Sequence, residues 1–327
     1  MTISSTVNYL RIASNFVSVL VLCPFRINFT QKFRTNEIEE VHGVTKLQHE
    51  IYVLYKKDVI LVFDDQRSFN LQRKIEINEM GSPWDIGANE KDNCLYISDY
   101  SERCIWKITK ETDEQHKIIK WLDTSYYCTP EALSVSNDGQ LLMINDSAHS
   151  LMIRGSDAEL IRKIPLPTSI RRPRHAVETS IGNFIIIHVE ESAKELTEEG
   201  QPKKWLERND GKSASSGSSN VDRTVVSELT RDGHMIIRRF ISPDATQNAS
   251  EYLSLDSDDR VFVVDTHNDR VILLDSDLKW NRILCPTRGE SEEMISRGTY
   301  RLWYDKEMKQ LIVGNFYGFN VYTLSRN

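Results

Sequence analysis

Six positions in this chain carry residues able to do chemistry at fairly even spacing: His42, Trp84 or Asp85, Glu131, Arg174, Glu251 and Arg301. Carboxylates gathered around one point could hold a hard cation such as calcium, which takes oxygen ligands. Here the acidic members alternate with two arginines. Carboxylate and guanidinium side chains brought together pair with each other in preference to a divalent ion. His42 and His175 could serve as general bases, but neither has a serine or cysteine beside it in sequence. The favoured reading is a mixed-charge cluster that binds, with no catalytic residue, metal or cofactor assigned.

A second chemistry is suggested by "IRRPRH" (170–175), where Arg171, Arg172, Arg174 and His175 form the densest basic patch. "RR" at 238–239 follows in the same unit. Such residues near Trp84, Tyr126 and Tyr127 would make a stacking platform for single-stranded RNA if they shared one face with Arg301. The whole chain weighs against this, since 41 Lys and Arg face 48 Asp and Glu, for a net charge of −7. Nucleic-acid surfaces show a clear positive footprint. RNA recognition therefore stands as the alternative to protein binding.

The elements that position these residues come from a chain of 327 residues, 39% hydrophobic and 27% charged, which reads as a soluble globular protein. Five scattered cysteines with no CxxC pair fit free thiols in a reducing compartment. "FVSVLVLCPF" (16–25) is too short to cross a membrane, which takes about 20 apolar residues. No small-residue cleavage site follows it, so secretion is the minority reading and a cytoplasmic location the favoured one. Residues 1–32 read as an N-terminal extension without fixed structure.

The rest is a repeat. "LYISD" ends at Asp99, "LLMIN" at Asn145, "VFVVD" at Asp265 and "LIVGN" at Asn315, and in each a second apolar run begins six positions later. "FIIIH" and "IYVLY" are degraded copies. The period is about 45 residues, in the range of blade and solenoid repeats. Each unit has a lead-in segment, a turn rich in Asp, Asn, Ser and Gly, the anchor run, a short polar loop, a third apolar run and a more polar fourth. Four short strands per unit, six times over, predict an all-β fold: a six-bladed β-propeller of four-stranded antiparallel blades over residues 33–327. Asp99, Asn145, Asp265 and Asn315 then end second strands and cap the following loop, a structural role. The six chemistry-bearing positions open the inner strands, at the mouth of the central channel.

"RVFVVDTHNDRVILLD" (260–275) resembles an NHL repeat: apolar strand, Asp, short loop with Asn, Arg, then Val or Ile. The resemblance extends loosely over about 290 residues and implies closure of the ring by "FRTNEIEE" (33–40) against "FNVYTLS" (319–325). NHL propellers often end tripartite-motif ubiquitin ligases, but no cysteine/histidine cluster here could build the RING and B-box modules. Some bind single-stranded RNA. Gluconolactonase- and paraoxonase-type six-bladed hydrolases hold calcium at the channel mouth, which gives a third reading, a calcium-dependent hydrolase or lactonase.

One insertion interrupts unit four between its second and third strands, "EESAKELTEEGQPKKWLERNDGKSASSGSSNVD" (190–222). Its composition is too polar to bury a core, so it reads as a flexible loop. The expected function is a non-enzymatic interaction scaffold, monomeric, with a protein partner and no membrane, in a ubiquitin-ligase-related setting.

Overall fold

The computed structural model describes residues 25–34, 41–55, 58–65, 69–112, 115–126, 128–191, 222–242, 252–266, 270–284, 299–315 and 318–326. Its regular structure is entirely β, beginning with β1 (Phe25–Arg34). Blade 1 follows as β2 (Val41–Leu47), β3 (Glu50–Tyr55), β4 (Val59–Asp64) and β5 (Leu71–Glu76). Blade 2 is β6 (Pro83–Asn89), β7 (Cys94–Asp99), β8 (Cys104–Lys110) and β9 (His116–Asp123). Blade 3 is β10 (Leu133–Val135), β11 (Leu141–Asn145), β12 (Ser150–Arg154) and β13 (Leu160–Pro165). Blade 4 is β14 (Arg171–Glu178), β15 (Phe184–Glu191), β16 (Asp222–Leu229) and β17 (Ile236–Ile241). Blade 5 is β18 (Leu253–Leu255), β19 (Val261–Asp265), β20 (Arg270–Leu274) and β21 (Trp280–Ile283). Blade 6 comprises β22 (Thr299–Asp305), β23 (Gln310–Asn315) and β24 (Gly318–Arg326).

Each blade is one four-stranded antiparallel sheet, and the sixth takes β1 as its outermost strand, in the order β1–β24–β23–β22. The ring is thus closed by chain ends, which covers the edge of β24. Pairing runs from Phe25 opposite Arg326 to Arg34 opposite Gly318. This corrects the expected position: the closing strand is 25–34, not 33–40, and residues 25–32 belong to the sheet instead of an extension. The reason is visible in the sequence, where Phe25, Ile27 and Phe29 alternate with Arg26, Asn28 and Thr30 in the period of a strand. Residues 1–24 lie outside the described residues. So does the insertion from 192 to 221, while its ends, 190–191 and 222, form parts of β15 and β16.

Second strands are apolar on consecutive positions because both their faces meet another sheet. β7, β11 and β19 are buried at every residue. Outer strands such as β5 and β13 bury a single isoleucine each, Ile75 and Ile164. Six apolar clusters fill the six seams between neighbouring blades, from Leu54, Ile60 and Trp106 between blades 1 and 2 to Val53, Phe63 and Phe319 between blades 1 and 6. Each fully buried Leu, Ile, Val or Phe contributes about 1.5–3 kcal/mol. The inner hairpin of every blade turns through one left-handed residue: Gln48, Asn93, Gly139, Gly182, Asp259 and Lys309. Cys94, Cys104 and Cys128 are buried free thiols, and burial pushes Cys104 up to about 12 and Cys128 up to about 11.

Candidate functional site

Inner strands of four blades begin with a break in register: between Val41 and Gly43, Pro83 and Asp85, Arg171 and His175, and Thr299 and Arg301. A bulge takes the extra residue out of the ladder and re-aims its neighbour's side chain. His42 and Trp84 are the extra residues of blades 1 and 2. Their carbonyls both accept from one fork: Arg301 of blade 6 donates through Nε to the carbonyl of His42 and through Nη2 to that of Trp84, 2.7 Å away. The guanidinium lies flat on the ring of Tyr252, 3.7 Å from its centroid, and near Trp84 at 5.8 Å. Arginine suits this place because its planar fork reaches two carbonyls while its face stacks on an aromatic ring.

Two other ionisable groups of the mouth, Asp85 and His175, are also tied to backbone. Asp85 accepts from the N–H of Ile86 at 2.9 Å and from that of Leu133 in blade 3 at 2.8 Å. Burial pushes its carboxyl up to about 7, against the pull of Arg301 and those two N–H groups. The N–H of Leu253 in blade 5 donates to Nδ1 of His175 at 3.0 Å. The proton therefore sits on Nε2, which donates to the carbonyl of Leu133 at 3.2 Å. Burial, with Arg301 nearby, holds His175 down at about 4. Together Asp85, His175 and Arg301 stitch inner strands of all six blades around the channel.

Outside this belt the same end of the ring carries a wetter rim. Trp84 packs against Tyr100 with ring centroids 5.9 Å apart, and Tyr126 is 92% exposed. Arg174 pairs with Glu131 at 3.3 Å, both side chains about one-third exposed (35% and 33%). Arg171 and Arg172 are exposed, Arg172 in a left-handed conformation at φ 44°.

The predicted basic patch is thereby divided. Arg171 and Arg172 face solvent, Arg174 is matched by Glu131, and His175 and Arg301 are buried, so the five do not form one continuous positive surface. Among the described channel positions, both oxygens of Asp85 hold backbone N–H groups and Glu131 holds Arg174. No group of three or more His, Cys, Asp or Glu side chains with metal-binding geometry occurs among the described residues. Glu251 and Tyr127 lie outside the described residues.

The turn residues sit where the repeat puts them. Asp99 accepts from the N–H of Glu102 in the loop at 3.1 Å, and also from Gly81, Ser82 and the Trp106 indole. Asn145 accepts from the N–H of Ala148 at 2.9 Å. Asp265 instead holds Arg270 at 2.7 Å. Asn315 ends β23, pairing with Gly318. Two important residues were not singled out in the sequence, Tyr252 and Tyr100; each lies one position from a residue that was, Glu251 and Asp99.

The fold defined by these sheets is a six-bladed β-propeller of four-stranded antiparallel blades. Among solved structures it resembles selenomethionine-substituted virginiamycin B lyase from Staphylococcus aureus, at TM-score 0.57 and 12% identity, covering 93% of this chain and 100% of that one. A streptogramin B lyase structure matches at TM-score 0.55 and 9% identity, over 92% of this chain and 98% of that one. A Bacteroides thetaiotaomicron protein of unknown function matches at 0.59 and 11%, over 92% and 76%. These similarities establish the six-bladed propeller fold. No protein-family model and no curated protein matches the sequence.

Proposed function

We propose that this propeller is a non-enzymatic scaffold of the NHL type that docks a protein partner on the face where its inner strands begin. The observation that carries the reading is a division of labour at the channel mouth. Asp85, His175 and Arg301 make inter-blade bonds to backbone groups, and Tyr100, Tyr126, Arg171 and Arg172 are exposed at the rim, with Trp84 half-buried beside Tyr100. Trp, Tyr and Arg are the residue types that dominate binding hot spots. Blade 2, its link to blade 3 and the start of blade 4 carry them at one end of the ring. The lyase neighbours, at 12% and 9% identity, support the fold alone. The NHL assignment, with its ubiquitin-ligase setting, rests on the phrase at 260–275.

The test is a pull-down with the full chain from native lysate, in nuclease-treated and untreated halves, repeated with Tyr126→Ala and Arg171→Ala. Capture of a protein that survives nuclease and is lost in both variants is the expected result. Recovery only with intact RNA would transfer the face to nucleic acid, and capture indifferent to both substitutions would remove the docking face.

A further inference from the structure

In a ring of radiating sheets the outer strands stand furthest apart, which leaves a groove between neighbours. Between blades 2 and 3 its walls are β9 and β13, each paired on one side only, to β8 and to β12. Trp121 closes the floor: half-buried, it packs on Tyr96 with ring centroids 4.8 Å apart and donates through Nε1 to the carbonyl of Ser156 in blade 3 at 2.9 Å. Residues directly opposite each other in a ladder point to the same face. Lys117 and Ile119 stand opposite Thr109 and Lys107, on the face of β8 that sends Ile105 into the seam with blade 3. Leu160 and Lys163 stand opposite Arg154 and Met152, and Met152 enters that seam from the other side. Ile119 is 40% exposed and Leu160 46%.

Lys117 and Lys163 are exposed and make no ion pair or side-chain hydrogen bond among the described residues. Lys107 donates only to the Ser156 carbonyl, at 3.0 Å, and lies over the Tyr96 ring. β13 holds no acid and β9 only Asp123, its last residue. Asp157 and Glu159, in the turn before β13, bound the opposite end. The four groove-facing residues also follow one another along it. Leu95 and Leu141 stand at one level, since each leads an equivalent run, "LYISD" and "LLMIN". Through the ladders Lys117 lies level with Cys94, Leu160 with Leu141, Ile119 with Tyr96 and Lys163 with Met143. Lys117, Leu160, Ile119 and Lys163 thus climb the groove one residue at a time from alternate walls. An extended chain sends its successive side chains to alternate sides with the same rise, about 3.3 Å per residue.

We propose that this groove binds an extended peptide segment of a protein partner in the order acid, apolar, apolar, acid, its carboxylates on Lys117 and Lys163 and its apolar side chains on Leu160 and Ile119. The order reads the same in both chain directions. Ammonium and carboxylate meet in charge-assisted bonds, the apolar pair adds buried area, and the unpaired outer edges of β9 and β13 offer backbone groups to an added strand. A flat anionic bilayer would meet the lysines and leave the groove unfilled. This outer wall is separate from the rim of Tyr126 and Arg171, so failure at either surface leaves the other standing.

The experiment is a fluorescence-anisotropy titration of the full chain against short labelled peptides, capped at both ends and flanked by Gly and Ser. Their cores are Glu-Leu-Leu-Glu, the reordered Leu-Glu-Glu-Leu and the charge-reversed Lys-Leu-Leu-Lys, with phosphatidylserine vesicles as a parallel arm. Saturable binding of the first peptide is expected, weakening with salt, with the other two about tenfold weaker or worse. Lys117→Glu and Lys163→Glu should each weaken it about tenfold, and Leu160→Ser should weaken it too, while Lys279→Ala on blade 5 leaves it unchanged. Melting midpoints confirm that each variant folds, and Leu160→Ser keeps the test open if a lysine variant does not. Absence of saturable binding, equal binding of the reordered peptide, affinity unmoved by the lysine variants, or capture by the vesicles alone would each overturn the proposal.

Discussion

Nη2 of Arg301 donates to the carbonyl of Trp84 across 2.7 Å, so a side chain of blade 6 satisfies the bulged residue of blade 2. The same guanidinium reaches His42 of blade 1. One residue thereby links three inner strands at the point where the first and last blades meet. Hydrogen bonds from a charged group contribute about 1.5–3 kcal/mol each when buried.

Arg301→Met is accordingly expected to lose about 3 kcal/mol of stability, because two part-buried carbonyls lose this charged donor. Arg301→Lys should recover less than half of that, since an ammonium cannot fork and stack at once. Urea denaturation of the three proteins reads the loss. A midpoint unchanged in Arg301→Met would show that the belt is decorative.

His175 makes stability fall with acidity. Its folded pKa of about 4 lies below the ordinary 6.5, so between these values the unfolded chain binds more protons than the folded one. The neutral-histidine contribution is complete above pH 6.5 and is lost as pH falls toward 4, by about 3 kcal/mol for a shift of this size. His188, buried and held at about 4 by desolvation, acts in the same direction. Asp85, raised to about 7, acts oppositely, losing stability as pH rises from 3.8 to 7. His175→Gln isolates the first term: its deficit against wild type should shrink as pH drops from 6.5 to 4.5, and a constant deficit would contradict the assignment.

Gly43 is needed for close approach. A Cβ there would stand 2.7 Å from Cγ2 of Ile86 and 2.9 Å from its backbone nitrogen, the same nitrogen that donates to Asp85. Gly43→Ala is expected to cost about 1–3 kcal/mol through overpacking of the blade 1–2 seam. A melting point equal to wild type would mean that the inner strands of blades 1 and 2 can separate freely.

Removal of the chain through Arg34 takes away β1 and leaves β24 with an open edge. The truncated protein should melt about 10 °C or more below the full chain, the scale of several kcal/mol for a domain of this size, and should aggregate through that edge. Light scattering during the melt separates the two effects. Unchanged melting without aggregation would show that blade 6 holds without its fourth strand.

The repeat alone determined the architecture. Four copies of apolar run, Asx and second apolar run, with two degraded ones, pointed to sheets stacked around an axis, and residue types at 99 and 145 already announced the loops they cap. The strand closing the ring was open to the same reading, through the alternation at 25–29, but it carries no copy of the repeat and so lay hidden beside the apolar run at 16–25. Only the tertiary structure decided what the charged residues at the channel do. His175 and Arg301 look in sequence like members of a basic surface with Arg171 and Arg172, yet burial makes one neutral and turns the other onto carbonyls. Bulges place those carbonyls, and a bulge depends on how two strands register, which is written in their pairing and not in either strand's composition. The ion pair of Lys110 with Glu50 depends in the same way on two residues sixty positions apart in sequence meeting across the seam of blades 1 and 2.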